Sequence, residues 1–256
     1  MHICMDIGNT NIVIGIFNGN EIVNRFRFST NTSMTSDEYG IKIMQLFVFN
    51  KINKDDIEGF IISSVVPELD LIIKLMVNKY FNLEPIIVGP GIKTGIHIKL
   101  DNPKQLGADL LVGAVGVVEK YGPNSLIIDI GTALTMVYVN EKKEFLGGAI
   151  MPGIRTAFST LSEKTSKLED VGLEDVKDVL GRDTKSCLQS GMVFGWASLV
   201  EGMINKYLTK YGKMNLIITG GEARFIIDHI DPKLNLIYDE DLLLDGLNII
   251  YQKNRK

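Results

Sequence analysis

Two short stretches of the chain set a carboxylate, a glycine and small polar residues at one spacing. The first, residues 5–17, reads "MDIGNTNIVIGIF"; the second, beginning at Ile128, reads "IDIGTALTMVYVN". In each, an apolar run closes on an aspartate, Asp6 or Asp129. A glycine stands two residues on, Gly8 or Gly131, and a polar knuckle leads into a second apolar run. Glycine has no Cβ and leaves its N–H bare, so a phosphate approaches closely. Asn9, Thr10, Asn11 and Thr132 add side-chain donors. The aspartate repels phosphate, but it can hold a cation, or a water on Mg²⁺, that binds the phosphate. Each stretch therefore reads as a phosphate-and-metal hairpin; local turn formation is the plainer alternative. A third stretch, "LIITGGEARFI", runs from a buried strand through Thr219-Gly220-Gly221 into an expected helix. Free N–H groups at such a helix start suit a nucleotide. "GPGIKTG", residues 89–95, lacks P-loop spacing, because Ile92 separates Gly91 from Lys93.

The elements that must carry these turns follow from pattern. Residues 1–28 predict three strands, with a hairpin at Asn18-Gly19-Asn20. A helix over about 37–49, a strand ended by Pro67, a helix over about 68–80 and the strand "PIIVG" come next. After "DNP" the sequence predicts one helix, capped by Asn102 with Pro103 in its first turn. Asp109 then falls about six residues inside it, beyond the reach of the helix dipole. Further strands cover "SLIIDIGTALTMVYV" and "FLGGAIMPG", then a helical region extends to about Glu163. A charged, solvated stretch is expected over 164–178 and a long helix over 184–211. "DLLLDGLNIIYQKN" closes the chain as a short helix. Strands alternate with helices, which argues α/β. The Asp-x-Gly turns recur 123 residues apart, one at the head of each half. Two similar domains, 1–122 and 123–256, related by internal duplication and facing each other across a cleft, are the expected architecture.

A formal net charge of −4 gives no basic footprint for nucleic acid. No apolar run has the length of a membrane span, and no basic-then-apolar leader is visible. Cys4 and Cys187 read as reduced and buried, which suits a cytoplasmic protein. His2, His97 and His229 lack metal-ligand spacing. Gly191, Gly195 and Gly202 share a helical spacing that suggests close packing in a core or a dimer interface.

At this level of detail the chain resembles the type III pantothenate kinases, of the acetate kinase–sugar kinase–Hsp70–actin superfamily. "DIGNTN" looks like the family's first phosphate motif, "DIGTALT" its second and "TGGEA" its adenosine motif. "DNPKQLGAD", "GGAIMPGI", "GRDTKSCLQSGMVFGW" and "DLLLDGL" follow in the family's order over nearly the whole chain. The resemblance implies ribonuclease H-like domains, a homodimer, and ATP-dependent phosphorylation of the primary hydroxyl of pantothenate, the first step of coenzyme A synthesis. It implies ATP with Mg²⁺ and a monovalent cation, K⁺ or NH₄⁺. Carried over residue by residue, ATP falls on Asp6, Ile7, Gly8, Asn9, Thr10, Asn11, Ile12, Val13 and Thr132, with Gly220 and Gly221. Asp6 holds Mg²⁺ through water, and Asp129 the monovalent cation. Asp109 is the general base. Leu100, Gly107, Ala108, Asp109, Leu110 and Thr184 fall on the substrate side, Thr184 from the partner subunit or, alternatively, as part of a helix cap with Asp183.

Two positions depart from the family pattern. Leu110 stands where an arginine usually follows Gly-Ala-Asp, and Leu100 where a tyrosine is usual. Pantothenate is an anion, so loss of a guanidinium fork predicts weaker binding. The sequence leaves three readings: pantothenate held by other groups such as Lys99, Lys104 or Arg155; a less polar hydroxyl acceptor; or a nucleotide-binding regulator. A phosphate-releasing relative, such as an exopolyphosphatase, competes with all three.

Overall fold

The computed structural model describes residues 1–166, 168, 171–174 and 176–255. The chain divides into two compact units, Met1–Glu119 with Asp241–Lys256, and Lys120–Glu240.

The first unit opens with an antiparallel meander, β1 (His2–Ile7), β2 (Asn11–Asn18) and β3 (Glu21–Ser29). After α1 (Ser36–Phe49) the chain returns as β4 (Gly59–Ser64), parallel to β1. After α2 (Pro67–Phe81) it adds β5 (Ile86–Ile87), parallel to β4. The order is β3-β2-β1-β4-β5. Alternation along β1 sends Ile3, Met5 and Ile7 to one face, where Tyr39 and Ile43 of α1 and Leu69 and Ile73 of α2 bury them. Thr35 and Glu38 form a capping box at the start of α1, and Pro67 occupies the first turn of α2. A two-residue strand, β6 (His97–Ile98), and α3 (Ala108–Tyr121) follow.

The second unit repeats the plan: β7 (Ser125–Ile130), β8 (Ala133–Val139) and β9 (Glu144–Pro152) form the meander. The helices α4 (Ile154–Lys164), α5 (Thr184–Ser190) and α6 (Trp196–Tyr211) come next. Then β10 (Asn215–Thr219) runs parallel to β7, and β11 (Ile237–Tyr238) parallel to β10. The order β9-β8-β7-β10-β11 matches the first unit strand for strand. This is the ribonuclease H-like arrangement, twice, as the duplicated turns require. Leu126, Ile128 and Ile130 of β7 face the helices, against Met192, Val200 and Ile204.

Several sequence expectations change. The last helix, α7 (Leu242–Asn254), belongs to the first unit, not with residues 123–240. The second face of β1, carrying Cys4, needs cover, and α3 and α7 supply it with Leu111, Val115, Leu244 and Leu247. Arg25 pairs with Asp241 just before α7, and Asn254 at its end holds both N–H and C=O of Lys93. That bonding gives the "GPGIKTG" loop a structural role.

The helix expected after "DNP" is two pieces. Asn102 caps a 3₁₀ turn over Pro103–Gln105, and α3 begins afresh at Ala108. The "TGGEA" segment leads into short 3₁₀ turns instead of an α-helix, so no helix dipole stands there. The long helix is continuous in span but contains a wide π turn at Gly191–Gly195. A Cβ at Gly191 would touch Phe158, whereas Gly195 and Gly202 face open space within the chain. Within 164–178, Lys167, Glu169, Asp170 and Asp175 lie outside the described residues, and Leu173 is buried in the core. Cys4 is buried but Cys187 is exposed. His2 is buried, stacked on Tyr251 and bonded to Asn248. Among the described residues no helix is long and apolar enough to cross a membrane.

The crossing of α3 and α7 uses two glycines, because a Cβ at Gly246 would lie 2.3 Å from the Val112 carbonyl and one at Gly116 would lie 2.6 Å from that of Leu242. Gly246→Ala is therefore expected to destabilise the protein by roughly 1–3 kcal/mol, the usual cost of overpacking. A urea denaturation midpoint unchanged from wild type would refute this.

Candidate functional site

The two turns sit at equivalent points of the two meanders. In the first, Gly8 N–H donates to Asn11 O at 3.0 Å; in the second, Gly131 N–H donates to Ala133 O at 3.0 Å. The second turn is one residue shorter: Ile7 pairs with Ile12, whereas Ile130 pairs with Leu134. Asn9, Thr10 and Thr132 are exposed at the tips, and a Cβ at Gly131 would meet open space. Ile7 and Ile12 are fully buried in the core, so only their backbone can serve a ligand. Val13 is half-buried on the opposite face.

Each turn is tied by the residue that follows its third strand. Thr30 N–H donates to Thr10 O at 2.9 Å, and Gly153 N–H donates to Thr132 O at 3.0 Å. Thr30 Oγ1 adds a bond to Gly8 O at 2.6 Å, and Thr156 Oγ1 one to Thr132 O at 2.8 Å. Sequence reading missed Thr30, Gly153 and Thr156, because they act on turn carbonyls far away in sequence. Their position after "RFRFS" and "GGAIMP" was the available signal.

Asp6 and Asp129 are half-buried at the strand ends. The parallel register sets Ser63 beside Asp6 and Thr219 beside Asp129. Ser63 Oγ and Thr219 Oγ1 are both buried without a hydrogen-bond partner. A buried orphan hydroxyl is costly, and here one stands next to each aspartate. Gly220 has φ +95°, and a Cβ there would lie 2.5 Å from Asp129 Oδ1, so "TGG" lets β10 close against the carboxylate. In each unit, taken by itself, an exposed turn with donors, a carboxylate at its base and an unspent hydroxyl are groups of the kind that bind phosphate and a cation. Among the described residues no group of three or more His, Cys, Asp or Glu is arranged to hold a metal. Mg²⁺ usually takes one or two carboxylates together with substrate phosphates, which is the set available here.

Asp109 is the second residue of α3, in its first turn, not six residues inside. Its Oδ1 accepts from Leu110 N–H at 2.8 Å. Burial pushes its carboxyl above the ordinary aspartate value, against the lowering effect of the Leu110 and Asp109 N–H groups. A Cβ at Gly107 would lie 2.5 Å from Asp109 Oδ1, so the glycine makes room for the carboxylate to fold back. Ala108, Leu110 and Leu100 are half-buried nearby in sequence. Thr184 is exposed as the first residue of α5, and Asp183, not Thr184, makes the cap by accepting from Ser186 N–H at 2.9 Å. Arg155 is exposed at the start of α4, 3.7 Å from Glu222.

Solved structures share this architecture along almost the whole chain. A conserved Baf-family protein of Campylobacter jejuni superposes with a TM-score of 0.56 at 21% identity, covering 98% of each chain. The inorganic polyphosphate/ATP-glucomannokinase of Arthrobacter sp. strain KM does so at 0.52 and 13%, again covering 98% of each. Component A of the (R)-2-hydroxyglutaryl-CoA dehydratase of Acidaminococcus fermentans matches at 0.54 and 13%, over 96% of this chain and 94% of that one. What these likenesses define is the fold, two ribonuclease H-like units, each of which carries an Asp-x-Gly turn in this chain. Within it, the family model for type III pantothenate kinase matches residues 2–206. A type III pantothenate kinase of Exiguobacterium sp. (strain ATCC BAA-1283 / AT1b) is 39% identical over 256 residues, all of both chains. The chain belongs to the type III pantothenate kinase family, and it is a kinase that uses ATP with a divalent metal ion.

The raised carboxyl of Asp109 makes a stability prediction. A folded-state value above the unfolded one means that ionisation costs stability at neutral pH, a cost relieved as pH falls through the folded value. Asp109→Asn, which keeps the Oδ1 acceptor, is expected to raise the thermal midpoint at pH 7. The gain should shrink in mildly acid buffer; a loss of stability at pH 7 would contradict it.

Proposed function

We propose that the chain transfers the γ-phosphoryl group of ATP to the primary hydroxyl of pantothenate, giving 4′-phosphopantothenate, with Asp109 as general base. Asp109 carries this reading: it is a carboxyl desolvated in the first turn of α3, with a glycine two residues earlier that clears its path. A base for a hydroxyl proton works best when its affinity for protons is raised toward the working pH. Family membership supports pantothenate as the acceptor.

In this reading the Gly8 and Gly131 turns offer N–H groups to the phosphates, Asn9, Thr10, Asn11 and Thr132 add side-chain donors, and Gly220-Gly221 border the nucleoside. Mg²⁺ supplies neutralisation of charge on the transferring phosphoryl. Asp6 would hold the ion through water, and Asp129 with Thr219 would hold a monovalent cation, K⁺ or NH₄⁺. Asp109 takes the hydroxyl proton as the oxygen attacks. Gly107, Ala108, Leu110 and Leu100 line the acceptor side. A homodimer, with Thr184 reaching the partner's acceptor, and a cytoplasmic location complete the proposal.

Purified protein with ATP, Mg²⁺ and pantothenate should yield 4′-phosphopantothenate; ATP binding with no turnover at millimolar pantothenate would refute the acceptor. Asp109→Asn should lower kcat by roughly 10²–10⁴. The acid limb of kcat/KM should lie above the pH at which an ordinary aspartate titrates, because burial raises Asp109. Leu110→Arg restores a fork for an anion and should lower the KM for pantothenate by about tenfold, as one charge-assisted bond contributes roughly 1.5–3 kcal/mol. A KM that does not fall would show that the carboxylate is anchored elsewhere.

A further inference from the structure

The Thr132 turn is held by the first turn of α4, and that turn lacks a cap of its own. Gly153 precedes α4 and has no side chain to offer. It cannot be replaced by a capping residue, because a Cβ there would lie 1.9 Å from the Gly131 carbonyl. The closeness that lets Gly153 N–H reach Thr132 O excludes the usual Ser, Thr, Asp or Asn. The cap comes from Glu222 instead. Its Oε2 accepts from Ile154 N–H at 3.0 Å and from Arg155 N–H at 3.4 Å, and Arg155 Nε lies 3.7 Å from Oε1. Glu222 N–H donates to Ile130 O at 3.1 Å, immediately before the same turn. The circuit runs from Ile130 through Glu222 to α4, through Gly153 and Thr156 to Thr132, and back.

The first unit solves the same problem without a helix. Its equivalent carbonyl, Thr10 O, is held by Thr30, and α1 starts only at Ser36. In the second unit α4 starts directly after Gly153, so the helix itself becomes the brace.

We propose that Glu222 is a positioning residue for the nucleotide phosphates: its carboxylate fixes the first turn of α4, and α4 fixes Thr132. This rests on the nucleotide reading above. Glu222 touches no phosphate, and its negative charge would repel one; it acts through the backbone. Burial raises its carboxyl, while the two N–H groups and Arg155 draw it back.

Glu222→Ala, Glu222→Gln and Glu222→Asp test this in the full chain. Glu222→Ala should raise both the KM and the equilibrium Kd for ATP by about tenfold, the scale expected when a contact is misplaced by less than 1 Å. The KM for pantothenate should stay at the wild-type value, and amide exchange should quicken at Ile154 and Arg155. Glu222→Gln, which keeps an acceptor oxygen, should recover most of the affinity. If Glu222→Ala does not fold, Glu222→Asp, shorter by one methylene, carries the same measurements. Wild-type ATP affinity in the variant that removes or shortens the reach overturns the proposal, as does an equal loss for both substrates. Wild-type protein that binds no ATP overturns the nucleotide reading, and this proposal with it.

Discussion

A single backbone bond, made once in each unit, sets the terms for the rest: the residue just after the third strand donates its N–H to the carbonyl of the turn between the first two. Thr30 does this for Thr10 and Gly153 for Thr132. The turns are exposed and polar, and exposed turns wander unless tied. Largely buried strands beneath them, with the fully buried Ile7 and Ile130 at the ends of β1 and β7, hold the base in place. The tie holds the tip. Together they fix the exposed tips, whose glycine N–H groups are spent inside the turns on Asn11 O and Ala133 O, without any contribution from ligand.

The duplication that produced the two turns did not keep their surroundings equal. The shorter second turn brings Gly153 so close that no side chain fits, and α4 follows at once. The first turn keeps a threonine and gains a hydroxyl bond from it. Yet the strand next door carries a buried, unpartnered hydroxyl beside the aspartate in both units, Ser63 in one and Thr219 in the other. A feature so expensive, repeated at one register position, is hard to explain by packing alone, because alanine would fill the space at lower cost.

Most of the fold was legible because the strands are short, apolar and punctuated by glycine and asparagine. The repeated Asp-x-Gly turns, 123 residues apart, carry the duplication in the sequence itself. Three misreadings have physical causes. Leu106 and Gly107 look like part of a continuous helix, since apolar spacing does not reveal a break between a 3₁₀ turn and α3. The glycines of "TGGEA" suggest a helix start, but Gly220 serves a tight approach to Asp129 and the chain coils into 3₁₀ turns. The return of α7 to the first unit is a tertiary event: its apolar stripe would suit any open sheet face. Within the site, aspartates and glycines were readable, whereas Glu222, Gly153 and Thr30 act across long sequence gaps and leave no local pattern.

Asp109 shows how a short backbone break can set chemistry. In the first turn of α3, nearby N–H groups and the helix start favour its charged form, while burial disfavours it. Burial wins, since the net shift is upward. Leu110 bears on that balance. A guanidinium adjacent to the carboxyl would draw its proton affinity down; a leucine adds no charge. In the proposed reading, the leucine that offers an anionic acceptor no fork of donors also leaves Asp109 the stronger base. On that reading acceptor affinity and proton affinity are traded through one side chain, and a leucine in place of the family's arginine is compatible with catalysis while shifting what limits it.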